Sequence, residues 1–467
     1  MSKNIYDRWA DALKEHHRRP AYLMIADLMA DAINSGQLQT RDRLPPLRDL
    51  AVTLGLNYAT VTRGYNEAKK RGLIDSRPGM GSFIRGKVPS IPLSGGSSYE
   101  MTMNSPIEPE GYDIEAMLRQ GALKLLSERE IFPLLRYQDF GGGIEDKDAA
   151  MRWLGKCLPN VVSDQVLVCP GIHSVLVGLL TLLGRKGGVI CVPTLVYPGL
   201  KAIAAQLSVN LHALECDNDG PLPRSFEQQC HSGQVSALYL NPTINNPTTL
   251  TIPLKRRELL ADIAARYNVA IIEDDAYAVL PEQHIPTMAE LLPELTWYVT
   301  GLSKCFGAGL RIAYVLGPSK RSTQLLAGAL RALTVMSSPI TNALATQWIN
   351  DDTADRMLLA IRQEAAIRQQ LAREQLHKFN FQADPDGFHL WLRLPPHFNW
   401  NASDIAVKLR EQGVSAVSSA AFCTDNNPPD AIRLCLGGSN SRKQSLNGLI
   451  VVADMLEYPE HFASLGL

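Results

Sequence analysis

Short apolar runs that end directly at polar residues recur through the middle of this chain. Residues 236–240 lead to Asn241, residues 269–272 lead to an acidic triplet, and a third run leads to the loop of Lys304. Such runs are typical of strands buried in a parallel sheet, with helices as the crossovers. Because ligands bind at the carboxyl ends of parallel strands, the sequence predicts an α/β fold with its site at that edge.

Lys304 lies in a glycine-rich loop, directly after Ser303 and seven residues before Arg311. A lysine amine in such a loop can form a Schiff base with an aldehyde cofactor, and the neighbouring hydroxyl and guanidinium suit a phosphate. A Ser-Lys pair among glycines is more often only a loop. The interpretation therefore depends on the other strand ends.

Three residues upstream suit the same cofactor. Asp274 ends a strand and can pair with the protonated ring nitrogen of pyridoxal phosphate, while Tyr277 can reach the phenolic oxygen. Asn246 lies in a loop rich in proline and can donate to that oxygen. Taken alone, the acidic strand end is more often merely solvated, and a loop of proline and asparagine is a common turn.

Two further strand ends complete the pattern. Gly171 and Ile172 follow a strand and open a helix, and the first amides of a helix bind phosphate well. Tyr197 follows another strand, where its ring either stacks on the pyridine ring or simply packs.

The order and spacing of these sites resemble the fold-type I aminotransferases, which use pyridoxal 5'-phosphate, over roughly residues 111–467. The resemblance implies that Lys304 binds the cofactor as an aldimine, with Asp274 on the ring nitrogen and Asn246 and Tyr277 on the phenolic oxygen. The remaining residues that it implies are Gly171, Ile172, Ser303 and Arg311 around the phosphate, Tyr197 over the ring, Arg433 as a clamp for an amino acid's carboxylate, and Tyr137, which reaches the phosphate of the other subunit in a homodimer.

Three positions depart from the family's pattern. Gly301 stands where a phosphate-binding serine or threonine is frequent, His173 where glutamine is frequent, and Thr249 ends the run that is usually Asn-Pro-Thr-Gly. Whether Thr300 replaces the hydroxyl missing at Gly301 stays open.

The first ninety residues differ from the rest in charge. Residues 1–90 carry 15 Lys and Arg against 9 Asp and Glu, about +6, whereas the remaining residues carry 31 against 38, about −7, in agreement with the total of −1. A basic module joined to an acidic body indicates a polyanionic partner.

The pattern predicts three helices: one from the helical spacing over residues 22–33, a short one near residues 47–51, and a third capped by Asn57. Two short strands around a glycine-rich tip follow them. This is the order of a winged helix-turn-helix, and it closely resembles the GntR family of bacterial regulators. The predicted DNA contacts are Arg48, then Tyr58, Thr60, Thr62 and Arg63 on the third helix, and Gly79 and Gly81 in the wing. Residues 1–19 match nothing in that family, although Ile5, Trp9 and Leu13 suit an extra amphipathic turn or two.

A GntR-like winged helix fused to an aminotransferase-like domain is the layout of the MocR subfamily of transcriptional regulators. The predicted domains are a winged helix-turn-helix over 1–87, a linker over 88–110, a cofactor-binding large domain over 111–334 and a smaller α/β domain over 335–467. The predicted function is a regulator that binds double-stranded operator DNA and senses an amino acid or amine through pyridoxal phosphate. An active aminotransferase with an N-terminal appendage, and a sensor of pyridoxal phosphate itself, remain as alternatives.

Composition limits the other classes of protein. No run approaches 18 apolar residues, and no signal peptide is evident. The 8 cysteines lack the spacing of a metal site or a redox pair. These features indicate a cytoplasmic chain with reduced thiols, without a membrane partner or a metal site.

Overall fold

The structure, a computed structural model, describes residues 5–15, 20–34, 37–38, 42–71, 73–77, 81–84, 99–184, 187–395 and 400–459. The chain folds as two compact units, Met1–Gly95 and Gly96–Leu467.

The N-terminal unit is a winged helix-turn-helix preceded by one more helix. Its core is apolar and includes Trp9, Ile25, Met29 and Val61. The two wing strands pair antiparallel. Residues 5–15 form a full helix rather than a turn or two, so the helix predicted as the third is α4. The elements are α1 Ile5–Glu15, α2 Ala21–Asn34, α3 Leu47–Leu54, α4 Tyr58–Lys70, β1 Ile74–Arg77 and β2 Gly81–Ile84.

The larger unit is built on a seven-stranded sheet in the order β4-β12-β11-β10-β9-β5-β6. Only β12 runs antiparallel to its neighbours, which confirms the predicted mainly parallel sheet. The central strands are buried along their length, as their continuous apolar runs predict. The strands are β4 Val166–Cys169, β5 Val189–Pro193, β6 Asn210–Leu214, β9 Val235–Leu240, β10 Ala270–Asp274, β11 Thr296–Gly301 and β12 Ala313–Leu316, with a separate hairpin of β7 Cys216–Asp217 and β8 Gly220–Pro221.

Helices cover both faces of this sheet, and two separate apolar cores lie on its two sides. No helix within the described ranges is long and apolar enough to cross a bilayer. The helices are α5 Ile114–Glu128, α6 Ile131–Leu134, α7 Ile144–Leu154, α8 Ile172–Leu183, α9 Pro198–Leu207, α10 Pro223–Cys230, α11 Leu254–Tyr267, α12 Met288–Leu291, α13 Lys320–Thr334 and α14 Pro339–Asn350.

The C-terminal part forms a second, antiparallel sheet in the order β13-β14-β17-β16, with its own apolar core. Two strands outside this sheet, β3 and β15, pair parallel. The elements are β3 Tyr99–Glu100, α15 Thr353–Leu376, β13 Phe381–Ala383, β14 His389–Arg393, α16 Ala402–Glu411, β15 Val414–Ser415, β16 Val417–Ser418, β17 Ala431–Cys435 and α17 Arg442–Glu457.

One part of the predicted linker is structural. Met101 is fully buried in the C-terminal core, and the side chain of Asn440 donates to the main-chain oxygen of Glu100 at 2.7 Å. Burial of apolar side chains and strand pairing hold residues 99–107 on the larger unit. The linker therefore ends before β3 rather than at residue 110.

Candidate functional site

Three neighbouring parallel strands, β9, β10 and β11, have their carboxyl ends at the same edge of the large sheet. Asn241 follows β9, Asp274 ends β10, and Lys304 lies in a 3₁₀ turn directly after β11. The Asn241 amide joins two of these segments, because its Nδ2 donates to the main-chain oxygen of Asp274 at 2.6 Å and its Oδ1 accepts from the Asn246 N–H at 2.8 Å. The fold thus brings the predicted residues to one place.

Lys304 is half-buried among polar partners. Its Nζ donates to the main-chain oxygen of Asn104 and lies 5.4 Å from the centre of the Tyr277 ring. Burial lowers the pKa of Lys304 to about 8, although the Asp274 carboxylate opposes part of that change. A lowered pKa leaves more free amine at neutral pH, and the free amine is the form that attacks an aldehyde.

Asp274 is buried, and its two oxygens have different surroundings. Oδ2 accepts from the Tyr239 hydroxyl at 2.8 Å, whereas Oδ1 is buried without a hydrogen-bond partner among the described residues. Burial raises the pKa of Asp274 to about 6, and the Tyr239 hydrogen bond limits the rise. An unpaired buried acceptor costs about 1–3 kcal/mol, so this oxygen suits an N–H brought by a ligand.

Arg433 is buried in the middle of β17 and points at the large-domain loop. Its Nη1 donates to Asn246 Oδ1 at 2.8 Å, its Nη2 donates to the main-chain oxygen of Thr102, and its Nε is buried without a partner among the described residues. The guanidinium lies 5.1 Å from the centre of the Phe422 ring. Asn246 accepts from Arg433 through its side-chain oxygen, so the NH₂ of Asn246 stays free to donate to the phenolic oxygen of the cofactor, as predicted.

Gly171 and Arg311 form a small corner whose charge and free amides suit an anion. Gly171 is the N-cap of α8, with φ +88, and a Cβ there would lie 3.0 Å from Arg311 Nη2. The exposed guanidinium therefore lies against the start of a helix that no side chain caps, and both features attract an anion. Ile172 is the first residue of α8, and Ser303 is half-buried in the turn of Lys304.

The departure at Gly301 has a steric cause. A Cβ at this position would lie 2.8 Å from the main-chain oxygen of Ile312, so the local packing excludes a serine or threonine. Thr300 does not replace the missing hydroxyl, because it is buried and its Oγ1 donates to the main-chain oxygen of Asp275 at 3.0 Å.

Of the three tyrosines predicted to contact the cofactor, Tyr277 is buried, whereas Tyr137 and Tyr197 lie at the surface. Tyr197 is 36% exposed, and its ring covers Gly199, where a Cβ would lie 2.3 Å from a ring carbon. Tyr137 is 86% exposed and lines a shallow cavity with Arg331. A side chain so exposed is available to a second copy of the chain.

Three residues of the site were missed in the sequence. Asn104 donates from Nδ2 to the Tyr277 hydroxyl at 2.7 Å, and the buried His389 lies 3.3 Å from the same nitrogen. Tyr239 holds Asp274. A histidine inside the apolar strand 388–392 was a usable signal, but Asn104 lay in the predicted linker and Tyr239 in a predicted buried strand.

The predicted DNA contacts gather at the start of α4 and on α3. Asn57 is confirmed as the N-cap, since its Oδ1 accepts from the Thr60 N–H at 2.7 Å. Tyr58 is 52% exposed, and the Thr62 hydroxyl donates to the main-chain oxygen of Tyr58 at 2.8 Å. Arg48 on α3 is exposed.

Two arginines flank this surface. The exposed Arg63 guanidinium lies 4.2 Å from the centre of the Tyr22 ring. In the wing, Gly81 has φ +104, and a Cβ there would lie 3.2 Å from Arg43 Nε, so Arg43 belongs to the wing surface although it was not among the predicted contacts. Gly79 lies outside the described residues.

Comparisons with known proteins cover both units. The family model described as "Aminotransferase class I and II" matches residues 114–446, and "Bacterial regulatory proteins, gntR family" matches residues 21–84. The chain is 27% identical over 443 residues to the HTH-type transcriptional regulator YdeF of Bacillus subtilis, covering 94% of this chain and 95% of YdeF. It is 25% identical to the vitamin B6 salvage pathway transcriptional repressor PtsJ of Salmonella typhimurium, covering 82% and 87%.

Among solved structures, the α-aminoadipate aminotransferase LysN of Thermus thermophilus superposes with a TM-score of 0.69 at 19% identity, covering 79% of this chain and 94% of LysN. At that identity the likeness shows the fold alone.

Proposed function

Since this chain belongs to the aminotransferase class I and II family and carries a gntR-type helix-turn-helix before it, the MocR layout, we propose that it is a DNA-binding transcriptional regulator that senses an amino acid or amine. The observation that carries the proposal is the presence, in one chain, of an exposed recognition-helix start and a half-buried lysine near a buried carboxylate with one unpaired oxygen. Two relatives that match most of its length are named as regulators, which supports the proposal. A regulator of bacterial operators acts in the cytoplasm.

Pyridoxal 5'-phosphate is the cofactor of this family, and the residues fit it. When bound, it supplies an aldehyde for amines and a ring that withdraws electrons. Asp274 Oδ1 meets the need of a ring N–H for an acceptor, and the corner of Gly171 and Arg311 suits a phosphate. The residues that would hold the group are Lys304 covalently, Asp274 at the ring nitrogen, Asn246 and Tyr277 at the phenolic oxygen, Gly171, Ile172, Ser303 and Arg311 at the phosphate, and Tyr197 over the ring.

Arg433 binds the effector's carboxylate in this proposal. Its Nε is unpaired, and a bidentate carboxylate would also compete for the Nη2 that now donates to Thr102. Lys304 likewise donates to Asn104 of the same segment. Residues 102–104 therefore lose one or both contacts when ligands engage these cations, and the chain leading from this segment to the DNA-binding unit carries the signal.

We propose that the functional form is a homodimer. Large apolar side chains around α6 are solvent-exposed in a single chain, among them Phe132 at 76%, Leu135 at 62% and Ile144 at 83%. The Gln138 N–H donates to the Met336 sulfur at 3.2 Å, which joins this segment to the exposed end of α13. Burial against a second copy covers this surface and brings Tyr137 to the partner's phosphate site.

The test measures binding of the cofactor-loaded chain to its promoter with and without a panel of amino acids and amines. We expect one compound to change both the visible spectrum and the DNA affinity, and Lys304→Ala to bind DNA without responding. Lys201→Ala is the matched control. A response to pyridoxal phosphate alone would favour the cofactor sensor.

A second measurement separates the enzyme alternative. Deleting residues 1–90 should abolish promoter binding. If the deleted protein still binds the promoter, or if it forms keto acid from an amino acid at rates typical of aminotransferases, about 1–10³ s⁻¹, the aminotransferase reading replaces the regulator.

A further inference from the structure

Asn104 contacts three residues of the site, and no role proposed above uses its side-chain oxygen. Its Nδ2 donates to the Tyr277 hydroxyl at 2.7 Å and lies 3.3 Å from His389 Nδ1, while its main-chain oxygen accepts from Lys304. Its Oδ1 is buried without a hydrogen-bond partner among the described residues. The site therefore holds a buried acceptor that awaits a donor.

The orientation of this amide is set by its neighbours. His389 Nε2 lies 3.0 Å from the main-chain oxygen of Asn245, which only accepts, so Nε2 carries the proton. Burial lowers the pKa of His389 to about 3, with a further contribution from the Arg433 charge, so the ring is neutral and Nδ1 is an acceptor. Only the NH₂ of Asn104 can face that nitrogen, and Oδ1 is left free.

Two other polar atoms of the site are also buried without a partner among the described residues, and the proposed function assigns a ligand group to each of them. Asp274 Oδ1 suits the ring nitrogen of the cofactor, and Arg433 Nε suits the effector's carboxylate. Asn104 Oδ1 cannot serve the carboxylate, because two acceptors repel. It needs an N–H or O–H from another part of the effector.

We propose that Asn104 determines which effector binds, by accepting a hydrogen bond from a hydroxyl, amide or ammonium group on the effector's side chain. His389 acts as a positioning residue, because its Nδ1 faces the Asn104 NH₂ and so leaves Oδ1 free to accept from the effector. The inference rests on the proposed effector site. A site that presents an unpaired acceptor discriminates against ligands that lack the donor, because the acceptor then stays buried and unpaired.

The test uses pairs of amino acids of equal size that differ in one donor: L-serine with L-2-aminobutyrate, L-homoserine with L-norvaline, and L-ornithine with L-norleucine. Their dissociation constants for the full-length, cofactor-loaded protein are measured by titration of the visible spectrum and by calorimetry. We expect the donor-bearing member of at least one pair to bind about tenfold more tightly.

Variants then assign that preference to Asn104. Asn104→Leu should reduce the ratio within the pair to about one, and Asn104→Asp should favour ornithine over homoserine because a carboxylate prefers an ammonium. His389→Leu should reduce the ratio as well, and adding it to Asn104→Leu should change nothing further. Asn160→Leu, the same substitution at an exposed position, is the matched control.

The outcomes separate two failures. If amino acids bind but no pair is distinguished, or if Asn104→Leu weakens both members of a pair equally, the role of Asn104 is wrong and the regulator stands. If no amino acid or amine alters the spectrum or the DNA affinity of the unmodified protein, the effector site itself is wrong.

Discussion

If the cofactor attaches to Lys304 as proposed, the protonation state of that amine sets how fast it is captured. With a pKa of about 8 instead of 10.5, roughly a quarter of the amine is free at pH 7.5, against roughly 0.1% for an ordinary lysine. Attachment of pyridoxal phosphate to the apoprotein should therefore accelerate with pH and level off above about 8. Stopped-flow absorption from pH 6 to 9 checks this, with Lys201→Arg as control and Lys304→Arg as the variant that never attaches. A rate that is flat below pH 8 contradicts it.

Asp274 should destabilise the apoprotein in a pH-dependent way. Its folded-state pKa is raised to about 6 from 3.8, so the folded state holds the proton more tightly than the unfolded state. The cost is absent below about pH 4, grows as pH rises through 6 and reaches ~3 kcal/mol above it.

Asp274→Asn should therefore stabilise the apoprotein at pH 8 by about 1–3 kcal/mol and about half as much at pH 5, while weakening cofactor binding. Denaturant unfolding of the apoprotein at the two pH values measures the first effect, and cofactor titration measures the second. Asp275→Asn serves as the comparison for the cofactor titration only, because burial raises the pKa of Asp275 as well, whereas Asp274 is the carboxylate assigned to the ring nitrogen. Equal stabilisation at both pH values would overturn the prediction.

Helices α2 and α4 pack closely because of a glycine. A Cβ at Gly64 would lie 3.0 Å from the Cβ of Ile25, which is fully buried on α2. Gly64→Ala should cost about 1–3 kcal/mol of stability in the N-terminal unit through overpacking. Thermal melting followed by circular dichroism measures the loss, and adding Ile25→Ala should not deepen it by the full cost of a new cavity. Gly64→Ala with unchanged melting and DNA affinity would show that the helices separate freely.

Each chain carries one winged helix, so the proposed homodimer would present two of them to DNA. An operator with two half-sites should bind much more tightly than a single half-site, and Phe132→Glu with Leu135→Glu should remove that advantage by breaking the dimer. Gel shifts and sedimentation measure both. If a variant stays dimeric yet loses the preference for two half-sites, or becomes monomeric yet keeps it, dimerisation is not the cause of that preference.

Phosphate and base contacts should separate within each winged helix. Arg48→Ala should weaken binding to all sequences and reduce the salt slope by about one, whereas Thr60→Ala should relax discrimination at particular positions. Binding measured across salt on specific and scrambled DNA checks this. A change of specificity without a change of slope in Arg48→Ala would reverse the assignment.

Local patterns were enough to predict the elements and the side chains at their ends. Apolar runs that end at Asp274 and before Lys304 indicated parallel strands, and Asn57 indicated the start of α4, because these signals depend on residues only a few positions apart. Arg433 was predicted from the family resemblance.

Tertiary structure alone decided which polar atoms are satisfied and which are left free. Asn104 meets residues 173, 200 and 285 positions away along the chain, and Thr300 turns from a candidate phosphate ligand into a partner of Asp275. Position 301 has no room for a side chain because the main-chain oxygen of Ile312, directly before the neighbouring strand β12, lies too close. Such contacts depend on how distant segments pack. A hydrogen bond that is made or missing between them leaves no periodicity in the sequence.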